Sequence, residues 1–196
     1  VWERLQAQRA LPAQFLRQAF ARESGTIIDS DVGWRGTIQD NIGQVIARPT
    51  HGVYLGLFPF LNPQSAAVRK SAVAFDGNHG HPFGYLSPPA AIERPWTPHE
   101  GSAIRYARGQ RPGEVIPVLE ASETHATPAI GEFQSGVLEA APIFADWLES
   151  LGIMSSSLSE ALRAQLQDYY TNPDPVIADI GFDSDHDDTF GAVGHD

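Results

Sequence analysis

"HGVYLGLFPF", residues 51–60, is the stretch on which the fold turns. In an extended chain Val53, Leu55 and Leu57 share one face, and Tyr54, Gly56 and Phe58 share the other. With no polar face, the run predicts a strand covered on both sides. Pro59 cannot donate to a ladder and ends it. Upstream, "TIID" (26–29), "GWRGTIQ" (33–39) and "QVIARPT" (44–50) carry the same bias to β-branched and aromatic residues. "DSDVG" (29–33) and "DNIG" (40–43) punctuate them as turns. Downstream, "SAVAFD" (71–76) reads as one more short strand. Strands this close together predict a central, mostly antiparallel β-sheet.

Helical signals lie on either side. In "VWERLQAQRALPAQFLRQAFARESG" (1–25), Phe15, Leu16, Ala19 and Phe20 make one apolar stripe, and Gly25 is a stop. "TPHEGSAIRYARG" (97–109) has Thr97 and Glu100 in capping-box spacing. "LEAAPIFADWLESLG" (138–152) is helical from Pro142, with Phe144, Trp147, Leu148 and Leu151 on one stripe. "SSLSEALRAQLQDYYTNP" (156–173) starts on a Ser157/Glu160 capping box and ends at Asn172–Pro173. Between 82 and 98 the prolines Pro82, Pro88, Pro89, Pro95 and Pro98 predict extended chain lying on a surface. The expected fold class is therefore α+β: an N-terminal helix, the central sheet, C-terminal helices and long irregular proline-rich connections. Residues 1–172 are expected to form one domain, and 173–196 an acidic C-terminal extension without helical period.

The 196 residues suffice for one good core. The absence of cysteine excludes disulfides, thiolate zinc sites and cysteine nucleophiles. No window approaches the 18 apolar residues of a membrane span, so a soluble chain is expected; the compartment stays open. Charge is strongly polarised. Residues 1–111 hold 12 basic and 8 acidic side chains, whereas residues 112–196 hold 1 and 16. Such a chain suits neighbours that meet its two ends with opposite charge.

Three stretches are candidates for chemistry. "FDGNHGHPFGYLSPP" (75–89) places His79 and His81 at i and i+2, one face of an extended chain, where two imidazoles can share a divalent metal. Asp76 and His99 are the residues expected to complete such a site. The pair resembles the first half of the cupin metal motif, but the glutamate that should follow is replaced by Pro82, Phe83, Gly84 and Tyr85. Gly77-Asn78-His79 similarly resembles a step of the metallophosphatases, without the acidic residue that follows it there. In "DSDHDDTFGAVG" (183–194), Asp183, Asp185 and Asp187 occupy positions 1, 3 and 5 of a calcium loop, without its glycine at 6 or glutamate at 12. Residues 95–135 resemble a Myb-like helical DNA-binding module at Trp96-Thr97 and Glu100, yet the would-be recognition helix after Thr124 lacks Arg and Lys. With a pI near 4.9, nucleic acid is a poor partner. No Gly-x-Ser-x-Gly elbow and no phosphate loop is present.

These features predict a structural or interaction subunit of a larger protein assembly, homo- or hetero-oligomeric, most concretely a virion or phage particle component, with enzymatic activity left open. Phe83, Tyr85 and Trp96 of the proline-rich span, with the 183–188 aspartates, are the expected contacts with neighbours. The alternatives are a metal-dependent enzyme or binding protein at His79/His81 and a nucleic-acid-associated module at 95–135.

Overall fold

A computed structural model describes residues 2–22, 24–80, 90–98, 101, 103–119 and 127–181. Helix α1 (Trp2–Ala19) leads into strand β1 (Ile27–Trp34), helix α2 (Thr37–Ile46) and strands β2 (Thr50–Leu57) and β3 (Val68–Asp76). A short helix α3 (Ala90–Glu93) runs into a 3-10 turn at Arg94–Trp96. Strands β4 (Ala103–Arg108) and β5 (Val115–Leu119) follow. The chain then forms α4 (Pro128–Ser150), a 3-10 turn at Ser155–Leu158, α5 (Ser159–Thr171) and α6 (Pro175–Gly181).

The expected α+β layout stands, with the N-terminal helix, central strands and C-terminal helices in place. The sheet's sense does not. β1, β2 and β3 form a parallel three-stranded sheet, and antiparallel pairing is confined to β4 and β5. The reason is α2. Ile38, Ile42, Val45 and Ile46 recur at i, i+4, i+7 and i+8, a helical period that β-branched composition disguises as strand. Residues 37–46 therefore cross over the sheet and return β2 parallel to β1, as a parallel pair requires. Helix and sheet meet closely because Gly43 faces Thr50 and Val68. The aspartates read as a turn, Asp29 and Asp31, lie within β1.

As expected, β2 is covered on both faces: Tyr54 is 1% and Leu57 0% exposed. On one face lies α2. On the other, Ala74, Phe75 and Ile92 form a core packed with Val32, Leu55 and the α5 residues Leu162, Leu166, Tyr169 and Tyr170. The Arg163 guanidinium donates to the carbonyl of Ala74, and the Tyr169 hydroxyl to that of Ala91 at 2.6 Å.

Three further expectations are revised. Residues 103–108 are strand, not helix, because the turn at 109–114 closes a hairpin: Gly109 N–H donates to the Glu114 carbonyl. Pro117 is tolerated in β5, whose two-stranded sheet leaves it an open edge. The end of the proline-rich span, 90–96, is helical rather than extended, with Pro95 in the first turn of the 3-10 segment, where a missing N–H costs nothing. Residues 175–181, read as extension, form a helix begun by Pro175 whose end, Ile180 and Gly181, is buried. Helix α1 packs on the hairpin, Phe15 against Tyr106 with ring centroids 5.1 Å apart. No helix among the described residues is long and apolar enough to cross a membrane.

Candidate functional site

The turn after β3 lies at the carboxyl end of the parallel sheet, where open α/β sheets commonly bind ligands. Asp76 closes β3 and organises that turn. Its Oδ1 accepts from the backbone N–H and side-chain amide of Asn78, at 2.9 and 3.0 Å, and its Oδ2 holds His79 Nδ1 at 2.7 Å. Asn78 in turn clamps the end of β2, donating to the Phe58 carbonyl and accepting from Phe60 N–H. Burial raises the Asp76 carboxyl, but the bonds from His79 and Asn78 outweigh it and hold the group below its ordinary value. The imidazole is 71% exposed, so His79 Nε2 faces outward.

Asp76 and His79 are thus brought together as one hydrogen-bonded pair. His81 and His99 lie outside the described residues, as do Asp183, Asp185, Asp187, Phe83 and Tyr85. Among the described residues no group of three or more His, Asp or Glu side chains could hold a metal ion. The described interface candidate, Trp96, is half exposed and meets Phe133 edge-on at 6.3 Å.

Beneath α2 lies a polar network that the sequence does not announce. Lys70, the chain's one lysine, pairs with Asp40 at 2.7 Å; both side chains are largely buried. The ammonium also donates to the Arg35 carbonyl and sits 4.7 Å from the centroid of the Phe60 ring. Tyr54 donates to Gln39 Oε1 at 2.9 Å, and Gln39 donates to Thr50 Oγ1 and the Arg69 carbonyl. Gly52 and Gly36 make room. A Cβ at Gly52 would strike the Gln39 and Tyr54 side chains, and at Gly36 (φ 62°) it would lie 2.7 Å from Lys70 Cε. The pair is satisfied on all sides and closed to solvent, which suits locking α2 to the sheet rather than chemistry.

Among the described residues, exposed large apolar side chains cluster on α4. Its N-terminal turn is anchored: Thr127 Oγ1 accepts from Ile130 N–H, Ile130 is 1% exposed, and the Gln134 amide donates to the carbonyls of Pro95 and Thr97. Beyond Val137 its side chains are mostly exposed. From residue 138 to 151 every residue except Leu148 is exposed. Leu138 (76%), Ile143 (71%), Phe144, Trp147, Leu151 and Met154 stand in solvent. Phe144, Trp147, Leu148 and Leu151 fall at i, i+3, i+4 and i+7, the stripe legible in the sequence. A stripe of this kind normally marks the core side of a helix; here Leu148 is partly buried and Phe144, Trp147 and Leu151 are left about half exposed.

A second apolar feature lies between α1 and α2. A groove of about 610 Å³ is lined by Pro12, Leu16, Ile38, Ile42 and Val45, with Arg9 on its wall. Ile38 is 60% exposed.

No protein-family model, curated protein or solved structure matches this chain significantly.

Proposed function

We propose that this protein is a structural or interaction subunit of a larger protein assembly, in its most concrete form a component of a virus or phage particle. The half-exposed apolar stripe of α4 carries this reading. Burying a large apolar side chain contributes roughly 1.5–3 kcal/mol, and Phe144, Trp147 and Leu151, each about half exposed, forgo about half of it. Exposed patches of this kind mark contact surfaces. The charge polarity along the sequence, 12 basic to 8 acidic before residue 112 and 1 to 16 after, supports the same reading. Native mass spectrometry of the purified chain across concentration tests it. Oligomers that shrink when Phe144 and Trp147 are both replaced by serine are the expected result. A chain monomeric at every concentration overturns it.

A second reading, a divalent-metal site, is favoured by the 2.7 Å Asp76–His79 pair at the carboxyl end of the sheet, with His79 Nε2 turned outward and His81 two residues on. In it, Asp76 and His79 with His81 and His99 hold an ion that activates a water molecule or polarises an oxygen ligand. The same spectra, recorded with added zinc before and after chelator, decide it. One ion per chain, lost in His79→Ala with His81→Ala, supports the site; no retained zinc removes it.

A further inference from the structure

We propose that the acidic segment around Asp183–Asp188 of one copy of this chain seats in an arginine-lined cleft, between α1 and the β4–β5 turn, of a second copy. The inference rests on the assembly reading and names the two surfaces that meet.

The hairpin turn builds the cleft. Gln14 and Gln18 of α1 both donate to the Gly113 carbonyl, and Val115 N–H donates to Gln18 Oε1 at 3.2 Å. These bonds tie the turn to the helix around a cleft of about 650 Å³. Phe15, Ala19 and Val115 give it apolar lining, and Arg22 from the helix and Arg111 from the turn stand exposed beside them. Arg108, the strand partner of Val115, lies on the same face of the hairpin. Among the described residues the lining carboxylate is Glu114, and its Oε2 is turned back to accept from the Arg111 backbone N–H. None of the three guanidinium groups is paired with a carboxylate among the described residues.

Such a cleft fits a short run of carboxylates beside an apolar group. Asp183, Asp185, Asp187 and Asp188 supply that run, with Phe182 and Phe190 on either side in sequence and no Lys or Arg after Arg163. Arginine–carboxylate contacts are charge-assisted, and opposite charge fixes which surfaces meet. A nucleic acid would have to extend beyond three arginines over a chain of formal charge −11, which favours the short acidic segment.

The fold places the segment of one chain out of reach of its own cleft. The end of α1 is fixed beside the amino end of the sheet, where Arg48 donates to the Phe20 carbonyl. Gly181, the end of α6, lies against Ala91 and Tyr169, on the α5 face and near the carboxyl end, where Trp34 donates to Glu93. The two points are separated by the eight residues of β1 in one direction and by the layers of α2, sheet and α5 in the other. At about 3.3 Å per strand residue and about 10 Å per layer, that is roughly 30 Å through the body, and more along the surface. A fully extended chain carries Asp183 about 7 Å and Asp188 about 25 Å from Gly181. A second copy meets no such limit. A contact between two different surfaces leaves one cleft and one segment open on every joined pair, so it continues into a ring or a filament.

The test uses a synthetic peptide of residues 182–196. It is added to the whole chain carrying D183N, D185N, D187N and D188N, whose own segment cannot compete. Fluorescence anisotropy should show one peptide bound per chain, weakened at least about ten-fold when Arg22→Glu and Arg111→Glu are added. By native mass spectrometry the asparagine chain should form smaller oligomers than its parent. A parent that assembles while the peptide fails to bind, or binds the arginine variant equally well, overturns the inference and leaves the assembly reading intact. A DNA duplex that binds the same arginines more tightly than the peptide does the same, and makes the cleft a nucleic-acid surface. A parent chain monomeric at every concentration overturns both. If the arginine variant loses its circular dichroism signal, Arg111→Gln alone, in the exposed turn, must weaken the peptide at least about three-fold.

Discussion

Asp29 shows how single residues in this chain are set by neighbours distant in sequence. Its Oδ1 is buried without a hydrogen-bond partner, and its Oδ2 lies 3.5 Å from the Tyr54 hydroxyl. Burial, more than any other influence, raises its carboxyl above the ordinary value. A carboxyl raised in the fold favours folding where it is protonated, below about pH 4, and that contribution is lost as pH rises through the raised folded value. Asp29→Asn keeps an acceptor for Tyr54 and removes the buried charge. It is expected to raise the midpoint of thermal unfolding at neutral pH, with the gain narrowing as pH falls toward about 4. A lower midpoint at neutral pH would contradict this. At the same scale, the site candidates were only half legible. The sequence put Asp76 and His79 three residues apart, and the structure closes them into one pair. Nothing local marked Lys70 as buried, since its partner Asp40 lies 30 residues earlier across a helix–sheet contact.

At the scale of the elements, local propensity was right for α1, α5, β2 and β3 and misled at α2. The misreading is physical: Thr37, Ile38, Ile42, Val45 and Ile46 favour strand, and only packing on β2 and β3 holds them helical. The helix ends at Ala47, in the left-handed region at φ 53°, with its N–H donated to the Gly43 carbonyl. A Cβ there is strained, and glycine is the usual residue. Ala47→Gly should therefore stabilise the protein by about 1 kcal/mol and raise its melting temperature by roughly 2–4 °C, readable by calorimetry. The same logic explains 103–108. The Thr97/Glu100 capping signal was real as a pattern, but the hairpin with β5 claimed the segment, and pairing outweighs an isolated cap.

At the scale of the whole molecule, charge and apolar surface point the same way. The apolar stripe of α4 lies in the acidic half of the chain and the α1–α2 groove in the basic half. Association of chains with this charge polarity should weaken with salt but not vanish. Surface ion pairs contribute a few tenths of a kcal/mol to about 1 kcal/mol each and are screened over about 3 Å at 1 M ionic strength, whereas apolar contacts are not. A rise of roughly three- to ten-fold in the dissociation constant between low and high salt is expected, measurable by sedimentation. Complete insensitivity to salt would mean that the acidic and basic halves of neighbouring chains do not meet.

The sequence by itself determined the class of the fold, the position of α1, β2, β3 and α5, the asymmetry of charge and the apolar stripe at Phe144, Trp147, Leu148 and Leu151. These follow from local period and composition, which each segment carries with it. Tertiary structure alone decided that the main sheet is parallel, that Lys70 is buried against Asp40, and that Phe144, Trp147 and Leu151 of the α4 stripe stay half exposed. Each depends on which surfaces meet after the chain has folded. An amphipathic helix reads the same whether its apolar face is buried in its own core or turned outward toward a partner.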